Sequence, residues 1–549
     1  MRRLCRFTAG FSIGCAACVA HFRSGAYLLA AIAAALCVLA LGFRKQLHLQ
    51  RLLPALLGLS LALAWCGVYR AVLLRPIEAF CARQQAEISA EVLEYPTSSR
   101  YGRAVLVCVE AEPRSIRAVL YYSSDETLLP GDRVTCTAKL RAASPDNLER
   151  DEYYASRGVW MCASAKGELT VEAGTRSLRY FPVYAAERLK RVCTQIFPAD
   201  AAGFLQALLT GDKQNLSYAL RNDLSRSGVY HVVAVSGMHV SLLAGLVMLL
   251  CAKKRVLCAA LGIPLVWFFV LLTGANASSV RAGIMQTMLL VSGLVRRERD
   301  PWTAFSAALM VLLAENPWSL RNVGLLLSFA STGGILLFSK PLSHAMVESK
   351  TYAHLEDHHP FLARGLRPGI TATCCSLASS AFSLPICAVY FGVVSVSGFV
   401  TNALCLWLIS LIFSAGLATA AASCICLPIG LGPGWLIGRA AQLVLGVIGV
   451  LSCVPYSAVS LDNPYAAVWA VFFFCAVWVI CLQPKKLRAS LTLGCIAVTF
   501  ALCMGLSALD YRSAGFTFTA LDVGQGQCLV YTADGETSMV DCGGVQNES

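Results

Sequence analysis

Residues 229–250 read VYHVVAVSGMHVSLLAGLVMLL. A helix needs roughly 20 apolar residues to cross a bilayer, and this stretch has the length and the composition. It nevertheless carries two imidazoles, His231 and His239, with Ser236 and Gly237 between them. On an ideal helix residues eight apart lie on one face, so both rings are expected to share a side. Ser236-Gly237 is a point where such a helix can loosen. Polar groups at membrane depth are costly and face a cavity or a partner helix. Broken helices at mid-membrane often line the route of a transported substrate. From composition alone two readings stand level: histidines bonded to neighbouring helices, and histidines lining a path.

The rest of the chain has the same character. Of its 549 residues 57% are hydrophobic and 14% charged, with a mean hydropathy of +0.62. That balance excludes a soluble globular protein. Runs with almost no charge fall at 25–43, 52–74, 229–250, 256–273, 320–339, 463–482 and 489–508. Shorter or broken runs fall at 7–20, 279–295, 302–314, 369–384, 395–427 and 429–455. We expect a polytopic α-helical membrane protein of about 10–13 spans. The opening MRRLCRFTAGFSIGCAACVA has the shape of a signal peptide, but further apolar segments follow at once, so it reads as a membrane anchor.

The net charge of +13 does not call for nucleic acid. The basic clusters sit between spans, at Arg44, Lys45 and Arg51, at Lys253–Arg255, at Arg296–Arg299 and at Lys485–Arg488. Cytoplasmic loops carry such an excess in any multispan protein. With Met1 inside, residues 75–200 and the C-terminus are expected outside, and Lys253 and Arg296 inside. Most of the 25 cysteines lie in apolar runs and count as small hydrophobes. Cys15 and Cys18 form a C-x-x-C, but within a span, where neither a redox nor a metal role is expected. Cys108, Cys136 and Cys162 lie in the external segment, where a disulfide is permitted.

Residues 81–180 break the pattern. AEISAEVLE (86–94), RAVLVCVEA (103–111), IRAVLYYS (116–123), DRVTCTAKL (132–140) and GVWMCASA (158–165) alternate with period two between turn signals such as Pro130-Gly131. Five or six short strands suit a small β-barrel of OB type, placed outside the membrane as a 75–180 domain after N-terminal anchor helices at 1–74. Tyr95, Tyr101, Tyr121, Tyr122 and Trp160 have the faces on which bases stack, yet 13 basic and 14 acidic residues over 81–180 make a poor phosphate groove. Downstream, Leu216, Leu220 and Leu224 form the stripe of an amphipathic helix capped by Ser217 and ended by Gly228.

Three more segments carry polar groups into apolar surroundings. TGANASSVRAG (273–283) offers Asn276 or Ser278 as a cap and puts Arg281 in the first turn of the next span. That arginine either snorkels to the surface or meets an anionic substrate at the outer mouth. ENPWSLRNVGLLLSFASTGGILLF (315–338) has the serines and threonine of a helix packed against others. VYFGVVSVSGFVTNALCLWLIS (389–410) buries Asn402 in an apolar run. His354, His358 and His359 cluster in what reads as a solvated loop. There is no G-x-S-x-G, no phosphate-binding P-loop and no paired C-x-x-C, so no catalytic residue and no metal ligand is assigned.

TGDKQNLSYALRNDLSRSGVYHVVAVSGMHVSLL (210–243) resembles the signature of the ComEC family of DNA-internalisation competence proteins. The three segments above follow in that family's order. LDVGQG and VDCGG in the tail, with Asp522, Gly524, Gly526 and Asp541, are similar to the opening strands of a metallo-β-lactamase-like domain. The resemblance implies a competence-type channel over 200–510 in the bacterial cytoplasmic (inner) membrane. That channel moves single-stranded DNA inward during natural transformation. It also implies contacts with lipid and with other competence-machinery proteins, and a path containing His231, Ser236, Gly237, His239, Asn276, Arg281 and Asn402. The segment 511–549 is expected to be the start of that terminal domain, cut short. No histidine follows His359, none is spaced H-x-H, and Gln527 stands where the family commonly has Asp. No cofactor, and no hydrolase activity of this chain by itself, is therefore expected. A membrane-anchored hydrolase without its metal site and a small-solute transporter are the other readings, though no internal repeat of spans supports the second.

Overall fold

The computed structural model describes residues 3–21, 32, 47–99, 102–111, 114–124, 126–143, 149–252, 254–455, 457–460, 464–482, 489–513, 515–521, 528–533 and 536–541. The chain divides into two compact units, one of residues 1–380 with 395–457, the other of 381–394 with 458–549.

The alternating segments of the first unit close a barrel. Strand β1 (Gln85–Val92) pairs antiparallel with β3 (Gly102–Val109) and with β5 (Arg133–Ala142). Strand β4 (Ile116–Tyr122) lies between β3 and β6 (Met161–Glu172), antiparallel to the first and parallel to the second. The β5–β6 pairing closes the ring of five, and a three-residue strand β2 (Thr97–Ser99) adds to the edge at β3. Because strand side chains alternate between faces, one face of each strand fills the barrel. Ile88, Ala90, Val92, Val105, Val107, Val109, Ala118, Leu120, Val134 and Ala138 are all buried there. The closure is compatible with an OB-fold and leaves no long edge open. Cys108, Cys136 and Cys162, in this barrel, are separate thiols.

Among the described residues six helices are long and apolar enough to cross a membrane: Leu52–Cys81, Arg255–Leu272, Val323–Val347, Ala363–Phe391, Gly398–Ile425 and Leu427–Ser452. Four shorter apolar helices accompany them, among them Gly237–Leu250 and Pro301–Glu315. This is the composition of a polytopic helical membrane protein. The expected span at 25–43 lies outside the described residues. The Ala199–Thr210 helix is buried on nearly every side, as a helix apolar all round must be. Phe181–Ile196, Gly398–Ile425 and Leu427–Ser452 pack around it.

Two expectations are corrected. The 229–250 run is two pieces, a single turn Tyr230–Val233 and the Gly237–Leu250 helix, with extended backbone at Ala234 and Ser236 between them. The histidines at 354 and 358 sit on the Lys350–His358 helix, capped by Ser349, rather than in a loop. Ser349 accepts from the Tyr352 N–H at 3.3 Å, and Tyr352 is buried with its hydroxyl donating to the Ala363 carbonyl at 2.8 Å.

In the second unit, the Pro464–Leu482 and Ala489–Ser513 helices pack through Trp469 and Phe500, whose ring centres are 4.9 Å apart. The tail forms an antiparallel meander of Phe516–Ala520, Leu529–Ala533 and Glu536–Val540. Asp522, Gly524 and Gly526 lie outside the described residues; Asp541 is exposed just past the last strand.

Candidate functional site

The site is assembled from the chain upward. The buried Ala199–Thr210 helix ends at Gly211, whose φ of +80° is left-handed. The loop after it is held by its own side chains. Asp212 pairs with Lys190 at 2.5 Å and accepts from the Gln214 N–H at 3.0 Å. Asn215 donates to the buried Gln206 at 2.9 Å. Lys213 lies over the Tyr230 ring at 4.4 Å. Burial, with Arg221 and Arg157 nearby, pulls its amine below the usual lysine range. Ser217 caps the Tyr218–Arg226 helix by accepting from the Leu220 N–H, and Leu216 and Leu224 are buried as the stripe requires.

That helix stops at Gly228, φ +75°. A Cβ there would stand 2.7 Å from the Cα of Gly398, so the turn seats directly against the start of the Gly398–Ile425 helix. The hydroxyls of Ser395 and Ser397 donate to the Arg226 carbonyl beside it. The chain then makes one turn, extends, and restarts at Gly237.

The two histidines part company at this break, contrary to the single face expected of an ideal helix. His231 is exposed, its Nδ1 donating to the Gly228 carbonyl at 3.1 Å. His239 is fully buried. Its Nδ1 accepts from the Ser236 N–H at 3.1 Å and lies 3.2 Å from the Ser236 hydroxyl. An imidazole nitrogen that accepts an N–H carries no proton, so the neutral ring is protonated on Nε2. That Nε2 has no partner among the described residues. The ring meets Phe413 edge-on at 4.4 Å.

Asn276 does occupy the cap position of the Ala277–Leu294 helix, but its side chain turns back to donate to the Thr273 carbonyl at 3.0 Å. Ser278 is already within the helix and meets the Ser328 hydroxyl at 2.9 Å. Arg281 falls in the second turn and does not snorkel. It is 7% exposed. One terminal nitrogen, Nη1, donates to Thr332 and touches the Met285 sulfur at 3.9 Å. The guanidinium stands 5.8 Å from the Phe329 ring centre. The other, Nη2, points at Gly237: a Cβ on that glycine would be 2.7 Å from it. Nε is buried with no partner, and no carboxylate pairs with Arg281 among the described residues.

Segments far apart in sequence therefore converge. Gly237 and Met238 touch Arg281 and Ser410, Ser241 accepts from Gln286 at 2.8 Å, and Arg281 reaches Thr332. Asn402 is buried with an unpartnered Oδ1, on the helix face that also carries Cys405, Ile409 and Phe413. Among the described residues no three His, Cys, Asp or Glu side chains gather as a metal would need.

The ENPWSLR segment serves a purpose that its composition conceals. Trp318 belongs to the barrel's core, its ring 5.6 Å from both Tyr69 and Trp160. Asn316 donates to the Ala155 carbonyl at 2.8 Å, and Arg321 pairs with Glu152 at 3.4 Å. The segment ties the barrel to the helices. An Asn-Pro-Trp run at the end of an apolar helix was the signal available for it.

A family model described as Competence protein matches residues 208–486. ComE operon protein 3 of Bacillus subtilis (strain 168) is 34% identical over 150 residues, which are 26% of this chain and 19% of that protein. Recombination protein 2 of Haemophilus influenzae is 24% identical over 212 residues, 37% of this chain and 26% of that protein. The matched stretches thus span about a fifth to a quarter of the length of these curated relatives. No solved structure matches the chain.

Proposed function

The chain belongs to the competence protein family, and from that premise we propose that it takes part in DNA uptake for natural transformation, as the path of a single DNA strand across the bacterial cytoplasmic membrane. The observation that carries this reading is Arg281. It is a buried cation without a carboxylate among the described residues, set against Gly237 where the helix restarts after the break at Ala234–Ser236. An ionisable group inside a membrane bundle is expensive and marks a substrate pathway more often than a packing contact. In this reading His231, Ser236, Gly237, His239, Asn276, Arg281 and Asn402 serve the path. Residues 1–74 anchor the chain, and 75–180 form an external barrel over a 200–510 channel domain. The 511–549 segment begins a further domain. The partners are single-stranded DNA, lipid and other proteins of the competence machinery.

The test is complementation. A competent host whose own channel gene is deleted, but whose surface capture of duplex DNA is intact, receives this chain and labelled DNA. Transformants and nuclease-protected label in the cytosol are expected. Membrane insertion at normal level with neither of them would overturn the reading.

A further inference from the structure

The strand-path reading names a polymer, and the geometry points to the group of that polymer which the break recognises. We propose, resting on that reading, that the N-terminus of the Gly237–Leu250 helix and the Arg281 guanidinium form a binding site for one phosphate group of the passing strand.

Four observations converge on it. Ser236 and His239 cap the start of this helix reciprocally, which leaves the Gly237 and Met238 N–H groups without an intrahelical acceptor, where the helix dipole favours an anion. This helix begins inside the protein only because the chain breaks at Ala234–Ser236. Arg281 is aimed at that end, with Nη2 against Gly237 and Nε unpartnered. Its only oxygen acceptor among the described residues is the neutral Thr332 hydroxyl. His239, at the third helical position, is fully buried and fixes this helix start by accepting from the Ser236 N–H with Nδ1. The guanidinium and the first helical N–H groups donate, and no side chain set against them brings a negative charge, the arrangement an oxyanion completes. A guanidinium suits a phosphodiester because two of its N–H groups fit two phosphate oxygens side by side. One such contact reads backbone and not base, which suits transport of any sequence.

The chemistry shared by the available ligands is a phosphate oxyanion, free or as a diester. The experiment uses the full chain in nanodiscs of zwitterionic lipid. Binding is measured for a short oligothymidylate, for the same oligomer with a neutral methylphosphonate backbone, and for inorganic phosphate as competitor. Arg281→Gln is expected to weaken phosphodiester binding about tenfold, to lower the salt slope by about 0.7, and to leave methylphosphonate binding unchanged. Gly237→Ala keeps the charge and displaces the guanidinium with one methyl group, so it serves if Arg281→Gln misfolds; a several-fold loss is expected. Strand binding that ignores both substitutions, in protein of normal elution and melting, would overturn the phosphate site and leave the strand path standing. Arg281-dependent capture of inorganic phosphate without any strand binding would do the reverse.

Discussion

Arg281 and His239 stand close to the same break, yet they answer to different forces. Arg281 holds one bond to Thr332 and no counter-charge among the described residues. An interhelical bond in a membrane is worth about 0.6 kcal/mol on average, against several kcal/mol for burying an ion. Arg281→Met is therefore expected to leave the thermal midpoint of the solubilised protein unchanged or higher, while transformation falls. A drop equivalent to about 2 kcal/mol or more would make the arginine a structural residue. His239 contributes to folding as well. Its loss strands the Ser236 N–H, at about 1–3 kcal/mol, and removes the edge contact with Phe413, at about 0.5–1.5 kcal/mol. His239→Ala should melt earlier, and His239→Gln should recover about 1 kcal/mol, because a glutamine at the third helical position can again accept from the cap N–H. Equal melting of the two variants would refute the capping role.

At the scale of elements, two short connections decide how the long helices meet. The turn at Gly228 is left-handed and lies against Gly398. Gly228→Ala would add both backbone strain and a clash, at about 1–3 kcal/mol, whereas an alanine at Gly237 meets no backbone penalty of that kind. Lower membrane levels for the first and normal levels for the second are the outcomes expected by immunoblot. The other connection is Pro317–Arg321, which docks Trp318 among Tyr69 and Trp160. Trp318→Ala should cost about 3–5 kcal/mol and loosen the barrel from its seat. Faster proteolysis within 102–122 while the membrane helices stay protected would show it; unchanged cleavage would place the barrel's anchor elsewhere.

For the whole molecule, the distribution of basic clusters predicts which surfaces face the cytoplasm. Cysteines introduced near Lys253 and Arg296 should label only from the cytoplasmic side, and positions within 75–200 and at the C-terminus only from outside. A C-terminus labelled from the cytoplasm would invert the arrangement of the last spans. The bearing on function is direct, since an external barrel would meet DNA before the membrane path does.

Hydropathy and period-two alternation were enough to separate apolar helices from a small barrel, because both are properties of neighbouring residues and the solvent they meet. The polar residues within the apolar runs were legible for the same reason: each is expensive where it stands. Ser217 and Gly228 could be placed as cap and stop because capping is local. What the sequence withheld was which of these groups meet. A shared face for His231 and His239 follows from an unbroken helix; the break at Ala234–Ser236 turned one outward and buried the other. Arg281 could be read as snorkelling until tertiary packing placed Gly237 against it and Thr332 beyond it, 51 residues away in the chain. Trp318 could be read as a helix-packing residue until the fold set its ring against both Tyr69 and Trp160. Contacts of that range depend on how helices cross, and crossing is set by the packing of whole faces, not by any residue's own surroundings.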